Sequence, residues 1–586
     1  MTGTLAFIAA AGIVSALPVA TNQTKRPNVI LIMTDDQGGW DLSAMGNPVM
    51  KTPNIDRLAT GGARIPRFYV SPVCTPTRAC LMTGRYNYRT RAIDTYVGRA
   101  MMDPAEVTVA EVLRDAGYAT GIFGKWHLGD CYPMRAIDQG FCEALVHRGG
   151  GIGQPSDPPG GEGKYTDPVL FHNGRPEQAK GYCTDVYFSA AMDWIDRNVA
   201  ADRSFFAYIA TNTPHEPLND LPQDLYDQYR KMDFRPLLVN PPGPAQMDRE
   251  LDRLARIFAM IANIDENVGR LLRKLESLKV LDHTLIFFLT DNGPNTMRFV
   301  GPLRGMKSDV HDGGIRTAFF AHWPARIRPG TICEAVAAHI DVMPTILAAC
   351  GTGLPAGVKL DGRSFLPLLT GETVDWPPRT IFIQSHRGDV PVLYHHFAAM
   401  AWPWKLVNPS GFGRESLPGE PAFELYNLRE DPGERTNLAA SRPELVARLK
   451  SEYEAWFKEV GSTRPDNYAP PRIHVGTSHE NPVVLTRQDW RRPPDERQGY
   501  GTVGTWLLYV AKDGRYDIRL RFPPHQQAGT ARLKIQDADL SLPLDAGATG
   551  CVFEAVGLKR GNADLSATLT YGQTTMGPWQ AEVGGL

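Results

Sequence analysis

Apolar residues in this chain gather into short unbroken runs that stop abruptly at polar residues. Asn28 to Met33 reads NVILIM and runs into Thr34, Asp35 and Asp36; Thr284 to Leu289 reads TLIFFL and runs into Thr290, Asp291 and Asn292. Continuous rather than alternating apolarity predicts strands buried on both faces, as in a sheet covered by helices. Between them, Val107 to Ala116 predicts a helix leading through Gly117 into a strand over Tyr118 to Phe123, and Ser204 to Ile209 predicts another strand. From about Met247 to Leu278, the residues Leu251, Leu254, Phe258, Ile261, Val268, Leu271, Leu272 and Leu275 recur near the 3.6 period of a long amphipathic helix. The alternation defines an α/β unit, placed at residues 27–376.

Beyond about Pro377 the pattern changes. A smaller α+β unit, 377–464, contains Ile381 to Gln384 and the string Glu424-Leu-Tyr-Asn-Leu428, followed by Asp431-Pro-Gly-Glu434. Linker-like composition follows in Arg464-Pro-Asp-Asn467 and Ala469-Pro-Pro-Arg472. Trp506, Leu508 and Val510 then alternate with other residues, Asp513-Gly514 reads as a turn, and Tyr516, Ile518, Leu520 and Phe522 alternate on the return, the signature of a hairpin. Leu533, Ile535, Val552, Leu565 and Leu569 continue the alternation, so 465–586 is expected to be an antiparallel β-sandwich without catalytic motifs.

In open α/β sheets, ligands bind beyond the carboxyl ends of the strands. Those ends offer Asp35 and Asp36, then Lys125 and His127 in Gly124-Lys-Trp-His-Leu-Gly129, then His215 after Thr213-Pro, then Asp291 and Asn292. Asp35, Asp36, Asp291 and Asn292 are oxygen donors, suited to a hard cation such as Ca²⁺ or Mg²⁺ rather than zinc. Either acidic pair alone would read equally well as a helix or turn cap; their parallel placement favours the metal. Residues 149–163 form a Gly/Pro-rich loop, read either as a substrate-side loop or as a plain connection.

Composition narrows the partners. Lys and Arg number 62 against 64 Asp and Glu, a net charge of -2, so no global pull toward nucleic acid or acidic lipid exists and anion recognition must be local. Eight cysteines in 586 residues, none in a paired C-x-x-C spacing, exclude a disulfide scaffold while leaving individual disulfides open. Leu5 to Ala20 is apolar and small, with cleavage patterns at Val14-x-Ala16 and Pro18-x-Ala20, and residues 1–20 read as a signal peptide although a basic n-region is missing. Export to the periplasm or the exterior is therefore expected. No later segment reaches the roughly 20 apolar residues of a membrane span, so no stable membrane insertion is expected.

Pro76 suits the first turn of a helix, which places Cys74 at a helix N-terminus where backbone N–H groups favour an anion, with Arg78 one turn on. Cys74-x-Pro76-x-Arg78, continuing to Leu81-Met-Thr83-Gly84-Arg85, resembles the signature of the type I sulfatases, whose fold is similar to alkaline phosphatase. Asp35-Asp36, Gly124-Lys125-Trp126-His127, His215, Asp291-Asn292-Gly293 and Arg304-Gly-Met-Lys307 with Gly313-Gly314 match further family elements, over about residues 27–460. Two positions depart: Thr77 stands where Ser is commoner and Asp312 where Glu is usual.

The resemblance implies an alkaline phosphatase-like mixed sheet flanked by helices, and a sulfuric ester hydrolase. Cys74 would be oxidised to Cα-formylglycine by a maturation enzyme, and Asp35, Asp36, residue 74, Asp291 and Asn292 would ligate Ca²⁺, with Mg²⁺ possible. The hydrated aldehyde would attack sulfur in line, Asp291 accepting its proton; Arg78 and Lys125 would hold its oxygens. His215 and Lys307 would contact the sulfate and protonate the leaving group, and His127 would take the second hydroxyl proton as sulfate is expelled. Trp126 and Cys80 are expected to be packing residues; His147, Arg148, His172 and His311 are read either as lining the substrate mouth or, by preference, as surface residues. Export and the added sandwich favour a sulfated oligosaccharide over a small aryl sulfate as substrate. The competing readings are a phosphodiester or phosphonate monoester hydrolase, and an inactive carbohydrate-binding protein.

Overall fold

A computed structural model of the chain describes residues 26–159, 161, 163–372, 374–413, 416–492 and 501–586. The signal peptide expected at 1–20 lies outside the described residues.

The centre of the protein is a ten-stranded mixed sheet. Six of its strands matter here: β1 (Asn28–Thr34), β2 (Ala119–Lys125), β3 (Glu143–His147), β4 (Phe205–Ala210), β5 (Thr284–Thr290) and β6 (Phe319–His322). In space they run β6-β5-β1-β4-β2-β3. β5, β1, β4, β2 and β3 are parallel, and β6 joins β5 antiparallel. Every residue of β1, β4 and β5 is buried. Their two faces feed separate hydrophobic clusters: Val29, Leu31 and Met33 on one side, Ile30 and Ile32 on the other. The 34-residue helix Pro244–Ser277 lies on the second side, burying Ile264, Val268, Leu271 and Leu275 against the strands.

Register aligns the strand ends. Thr34 pairs with Thr290 and Gly124 with Ala210, so Asp35 and Asp291 follow β1 and β5 at the same level, and Lys125 ends β2 beside the end of β4. Gly124 sits at φ 119°, and a Cβ there would lie 1.9 Å from the Ala210 carbonyl, so only glycine permits the close approach that delivers Lys125.

A four-stranded antiparallel sheet, Ile381–Gln384, Phe397–Ala401, Trp404–Asn408 and Glu424–Asn427, packs with the helix Pro443–Gly461 on the main unit. The segment with linker-like composition is not loose. Arg464 pairs with Glu106 at 2.7 Å, Asp466 with Arg91 at 2.5 Å, and Tyr468 is buried. Its prolines mark irregular backbone, but its charged side chains are matched to the α/β unit.

The C-terminal sandwich has a six-stranded and a four-stranded sheet. The expected hairpin is corrected by the pairing. Thr505–Val510 joins Ile473–Val475 and Gly561–Tyr571 in one sheet, whereas Gly514–Arg521 joins Gly550–Leu558 and Gln580–Gly585 in the other. Asp513-Gly514 therefore crosses between sheets. Trp506, Leu508, Val510, Tyr516, Ile518 and Leu520 are all buried in a shared core, and strands facing each other satisfy the same alternation as strands side by side. Met101, Cys131 and Met134 of the α/β unit belong to that core, so the sandwich is packed onto it. All eight cysteines are free.

Candidate active site

The helix α1 (Cys74–Thr83) begins with Cys74 and is buried along its whole length. Thr77 keeps its start in place: its Oγ1 accepts from the Ser71 N–H at 3.0 Å and donates to the Ser71 carbonyl at 3.2 Å. The hydroxyl is what these bonds use, and Thr77 supplies it as Ser would. Cys74 Sγ then lies 3.5 Å from Asp35 Oδ1.

Around the thiol each carboxylate carries its own cation. Lys125 Nζ pairs with Asp35, Arg78 NH2 donates to Asp291 Oδ2 at 2.9 Å, and Lys307 Nζ lies 2.6 Å from Asp36 Oδ1. Arg78 also donates to the Lys125 carbonyl at 3.0 Å. Asn292 Nδ2 donates to Asp36 Oδ1 at 2.9 Å, and the Asp36 N–H donates to Asp291 Oδ1 at 3.1 Å. His215 Nε2 stands 3.6 Å from Asp36 Oδ2, with its Nδ1 donating to the Glu216 carbonyl at 2.7 Å. All the sequence-predicted residues except His127 are thus linked by contact to one cluster. His127 is tied to it through the backbone, its carbonyl accepting from Thr75 Oγ1 at 3.2 Å.

Two strand-end residues adopt left-handed backbone, Asp36 at φ 63° and His127 at φ 55°. Such conformations are unfavourable for residues with a Cβ and persist where the surroundings over-determine them. For Asp36 the clamp is Arg298, which donates to the Asp36 carbonyl at 3.3 Å while pairing with buried Asp41 at 2.7 Å.

The electrostatics divide the residues. Burial lifts the Cys74 thiol to about 12 against the pull of Lys125 and Lys307, leaving the unmodified side chain a neutral thiol and a poor nucleophile. Burial and then the Asp35 charge raise Asp291 to about 6. Asp36 is also penalised by burial, but Lys307, His215 and the hydrogen bonds from Asn292 and Lys307 together hold it below the usual carboxylate range. Burial, aided by Lys125 and Arg78, keeps His127 well below the ordinary histidine value, and burial brings His215 to about 4 although Asp36 opposes it. Arg78 and Lys125 side chains are fully enclosed, whereas Lys307 and His215 remain 18% and 14% exposed, so access comes from the Lys307–His215 side.

The donor set fits a hard cation. Asp35 and Asp36 approach Cys74 within 4.8 Å, Asp291 and Asn292 join them through the bonds above, and Asn292 Oδ1 is buried with no partner. An orphaned buried carbonyl oxygen among three carboxylates is a feature a cation would satisfy.

Two features near the site extend the expected set: Tyr208, which carries no sequence signal, and the start of the Gly/Pro-rich loop 149–163. Tyr208, inside β4, has its hydroxyl 3.5 Å from Arg78 NH1. The Gly149–Gly151 stretch runs over both histidines: a Cβ on Gly150 would lie 2.9 Å from the His127 ring, and one on Gly151 3.1 Å from His215 Nδ1. Three of the four expected surface residues are buried. His147 pairs in register with Lys125 and is held neutral, at about 3, by burial; Arg148 lies against Glu480 of the sandwich; His311 bridges Asp309 and Glu424. His147 ends the strand β3 inside the sheet, and Arg148 and His311 are covered by residues distant in the chain, which no local pattern records. His172 is the one of the four that is substantially exposed. Trp126 and Cys80 are packing residues as expected.

A family model described as Sulfatase matches residues 27–352, more than half of the chain, and one described as N-sulphoglucosamine sulphohydrolase, C-terminal, matches residues 306–458. The chain belongs to the sulfatase family and is an enzyme of sulfate ester hydrolysis. It is 33% identical to arylsulfatase A of Homo sapiens over 485 residues, covering 74% of this chain and 88% of the relative. N-acetylgalactosamine-6-sulfatase of Canis lupus familiaris is 30% identical over 478 residues, covering 74% and 85%. Among solved structures, Ps i-CgsB in complex with k-i-k-neocarrahexaose superposes with a TM-score of 0.62 at 25% identity, covering 74% of this chain and 92% of that one. Residues beyond 458 lie outside both family models.

Proposed function

We propose that the chain hydrolyses sulfate monoesters of carbohydrates with a formylglycine made from Cys74 and a Ca²⁺ ion held by Asp35, Asp36, Asp291, Asn292 and residue 74. The observation that carries this reading is the placement of Cys74 at the start of α1, 3.5 Å from Asp35 and enclosed by three carboxylate–cation pairs. A buried neutral thiol has little use there, whereas a hydrated aldehyde supplies both an attacking hydroxyl and a second one through which sulfate is later released. The cation supplies charge that favours an ionised oxygen at residue 74.

The chain's own residues then divide the work. Asp291, paired with Arg78 NH2 at 2.9 Å beside residue 74, accepts the proton of the attacking hydroxyl. Arg78 and Lys125, fully enclosed, fix the position of that hydroxyl and offset the carboxylates beside it. Lys307 and His215, on the exposed side, meet the incoming sulfate and assist the departing alcohol. His127, neutral and with Nδ1 unpartnered, takes up the proton of the second hydroxyl.

The carbohydrate preference is supported by the relatives named N-acetylgalactosamine-6-sulfatase and by the oligosaccharide complex of Ps i-CgsB. Export as a mature chain beginning after about residue 20 belongs to the same reading. The test has three parts. Peptide mass spectrometry across residue 74 should find the aldehyde in protein from its native host, and thiol alone would overturn the mechanism. Rates on an aryl sulfate should exceed those on an aryl phosphodiester; the reverse order would make the enzyme a phosphodiesterase. Sulfated mono- and oligosaccharides should be desulfated, and activity confined to aryl sulfates would remove the carbohydrate assignment.

A further inference from the structure

The Nε2 atom of His127 lies 2.8 Å from the carbonyl oxygen of Thr95. A carbonyl only accepts, so Nε2 carries the proton and Nδ1 is left as the lone-pair nitrogen, buried and without a partner. The Thr95 carbonyl therefore chooses the tautomer that lets His127 act as a base. Yet Thr95 lies in irregular chain between the helices Asn87–Thr90 and Val109–Asp115, where no ladder of backbone bonds fixes a carbonyl.

Side chains from the two C-terminal units supply that fixation. Arg387 NH1 donates to Asp94 Oδ1 and to Thr95 Oγ1, both at 2.7 Å. From the sandwich, Gln488 Nε2 donates to the Thr95 carbonyl itself at 2.9 Å, and the Gly98 N–H donates to the Gln488 carbonyl at 2.8 Å. Gln488 is 3% exposed. It is held in a turn after the strand Val483–Thr486, in which its own N–H donates to Thr486 Oγ1 at 3.2 Å and Asp489 Oδ2 accepts from the Thr486 N–H at 2.9 Å and from its hydroxyl at 3.0 Å.

We propose that the C-terminal sandwich completes the active site, with Gln488 as a positioning residue that holds His127 through the Thr95 carbonyl. This rests on the role given to His127 above. In that role His127 Nδ1 takes one proton from the second hydroxyl of residue 74 as the C–O bond to sulfate breaks, the bonding pair leaving on the sulfate oxygen and the C=O re-forming. Gln488 touches none of these atoms. Its influence is confined to the second half of the reaction, after the alcohol has left.

Gln488→Met, in the full-length matured enzyme, keeps length and bulk while removing the donor. On an aryl sulfate it should lower kcat about 10-fold and leave kcat/KM within about 2-fold, because kcat/KM reports only the steps through S–O cleavage. KM should fall with kcat, and the phenol should appear in a burst equal to the enzyme concentration. In a His127→Ala background, Gln488→Met should add no further loss. A proportional fall of kcat and kcat/KM, or a loss that multiplies with that of His127→Ala, would overturn the proposal. If His127→Ala leaves kcat unchanged, the underlying role of His127 fails; if His127→Ala is slow and Gln488→Met is not, only the sandwich's part falls. A second readout needs no turnover and no variant at 488. In ¹⁵N-histidine spectra of Cys74→Ala protein, the His127 signal, assigned by its loss in His127→Ala, should show a protonated Nε2 and a bare Nδ1; the opposite tautomer would sink the idea.

Discussion

Around Asp35, Asp36 and Asp291, and again around Asp312 and Glu434, the protein buries carboxylates beside cations. In the second cluster Lys405 Nζ lies 2.7 Å from Asp312 and 2.9 Å from Glu434, the Asp312 N–H donates to Glu434 Oε2 at 2.6 Å, and the Tyr69 hydroxyl donates to Asp312 Oδ2 at 3.1 Å. Asp312, Lys405 and Glu434 side chains are all fully enclosed. The first cluster also matches acid to base, but it gathers its carboxylates around Cys74 and opens to solvent at Lys307 and His215. Burial of charge alone therefore does not mark a site. An opening beside a side chain that chemistry can use does, while the closed cluster fastens the Trp404–Asn408 strand to the α/β unit.

The comparison is broken most sharply at Asp36. Asp36→Asn should lower kcat about 10³-fold on an aryl sulfate and raise the Ca²⁺ concentration needed for activity, as measured by titrating chelated enzyme. Wild-type enzyme should lose activity on chelation and regain it with Ca²⁺. Lys405→Met should do the converse. It strands Asp312 and Glu434, destabilising the fold by about 3–5 kcal/mol in denaturant unfolding, while kcat of the folded fraction stays within about 3-fold. A large kcat loss with little loss of stability would merge the two clusters into one functional unit.

Acid offers a finer distinction. Burial pushes Asp312 up, but Lys405 and Arg316, with the hydrogen bonds it accepts, hold it below the ordinary aspartate value. A depressed carboxyl contributes stability that is present above its unfolded pKa near 4 and lost as pH falls through its folded value. Burial raises Glu434 even beside Lys405, and without that lysine both stranded carboxyls take up protons first, so the stability gap between wild type and Lys405→Met should narrow as pH falls toward and through about 4; a gap that widened would contradict the assigned direction. The smallest effect belongs to the sandwich surface, where Arg532 and Asp539 pair in the open. Asp539→Ala should leave the Tm and kcat unchanged within error, since solvent screens the pair.

The strand ends were legible because a strand buried on both faces must be continuously apolar, and the break from Met33 to Asp35 and from Leu289 to Asp291 shows where it leaves the sheet. The helix start at Cys74 was legible through Pro76. Pairing partners were not, since alternation specifies a buried face and not a neighbour; hence the strands around Asp513-Gly514 were read as a hairpin. Thr95 and Gln488 were invisible for another reason. Each acts through a backbone carbonyl or a single buried atom, contacts that join residues as far apart as 95 and 488 and leave no local spacing.

The central position of β1 has a temporal corollary. Its neighbours β4 and β5 lie some 170 to 260 residues downstream, with Asn28 partnered by Thr284 and Val29 by Phe206. A nascent chain that has emerged only to Ala200 holds Asp35, Asp36 and Cys74 but neither flank of the strand that aligns them. Cys74 is 3% exposed once those flanks dock. Any protein that alters its thiol has a window that opens with synthesis and shuts with the arrival of β5.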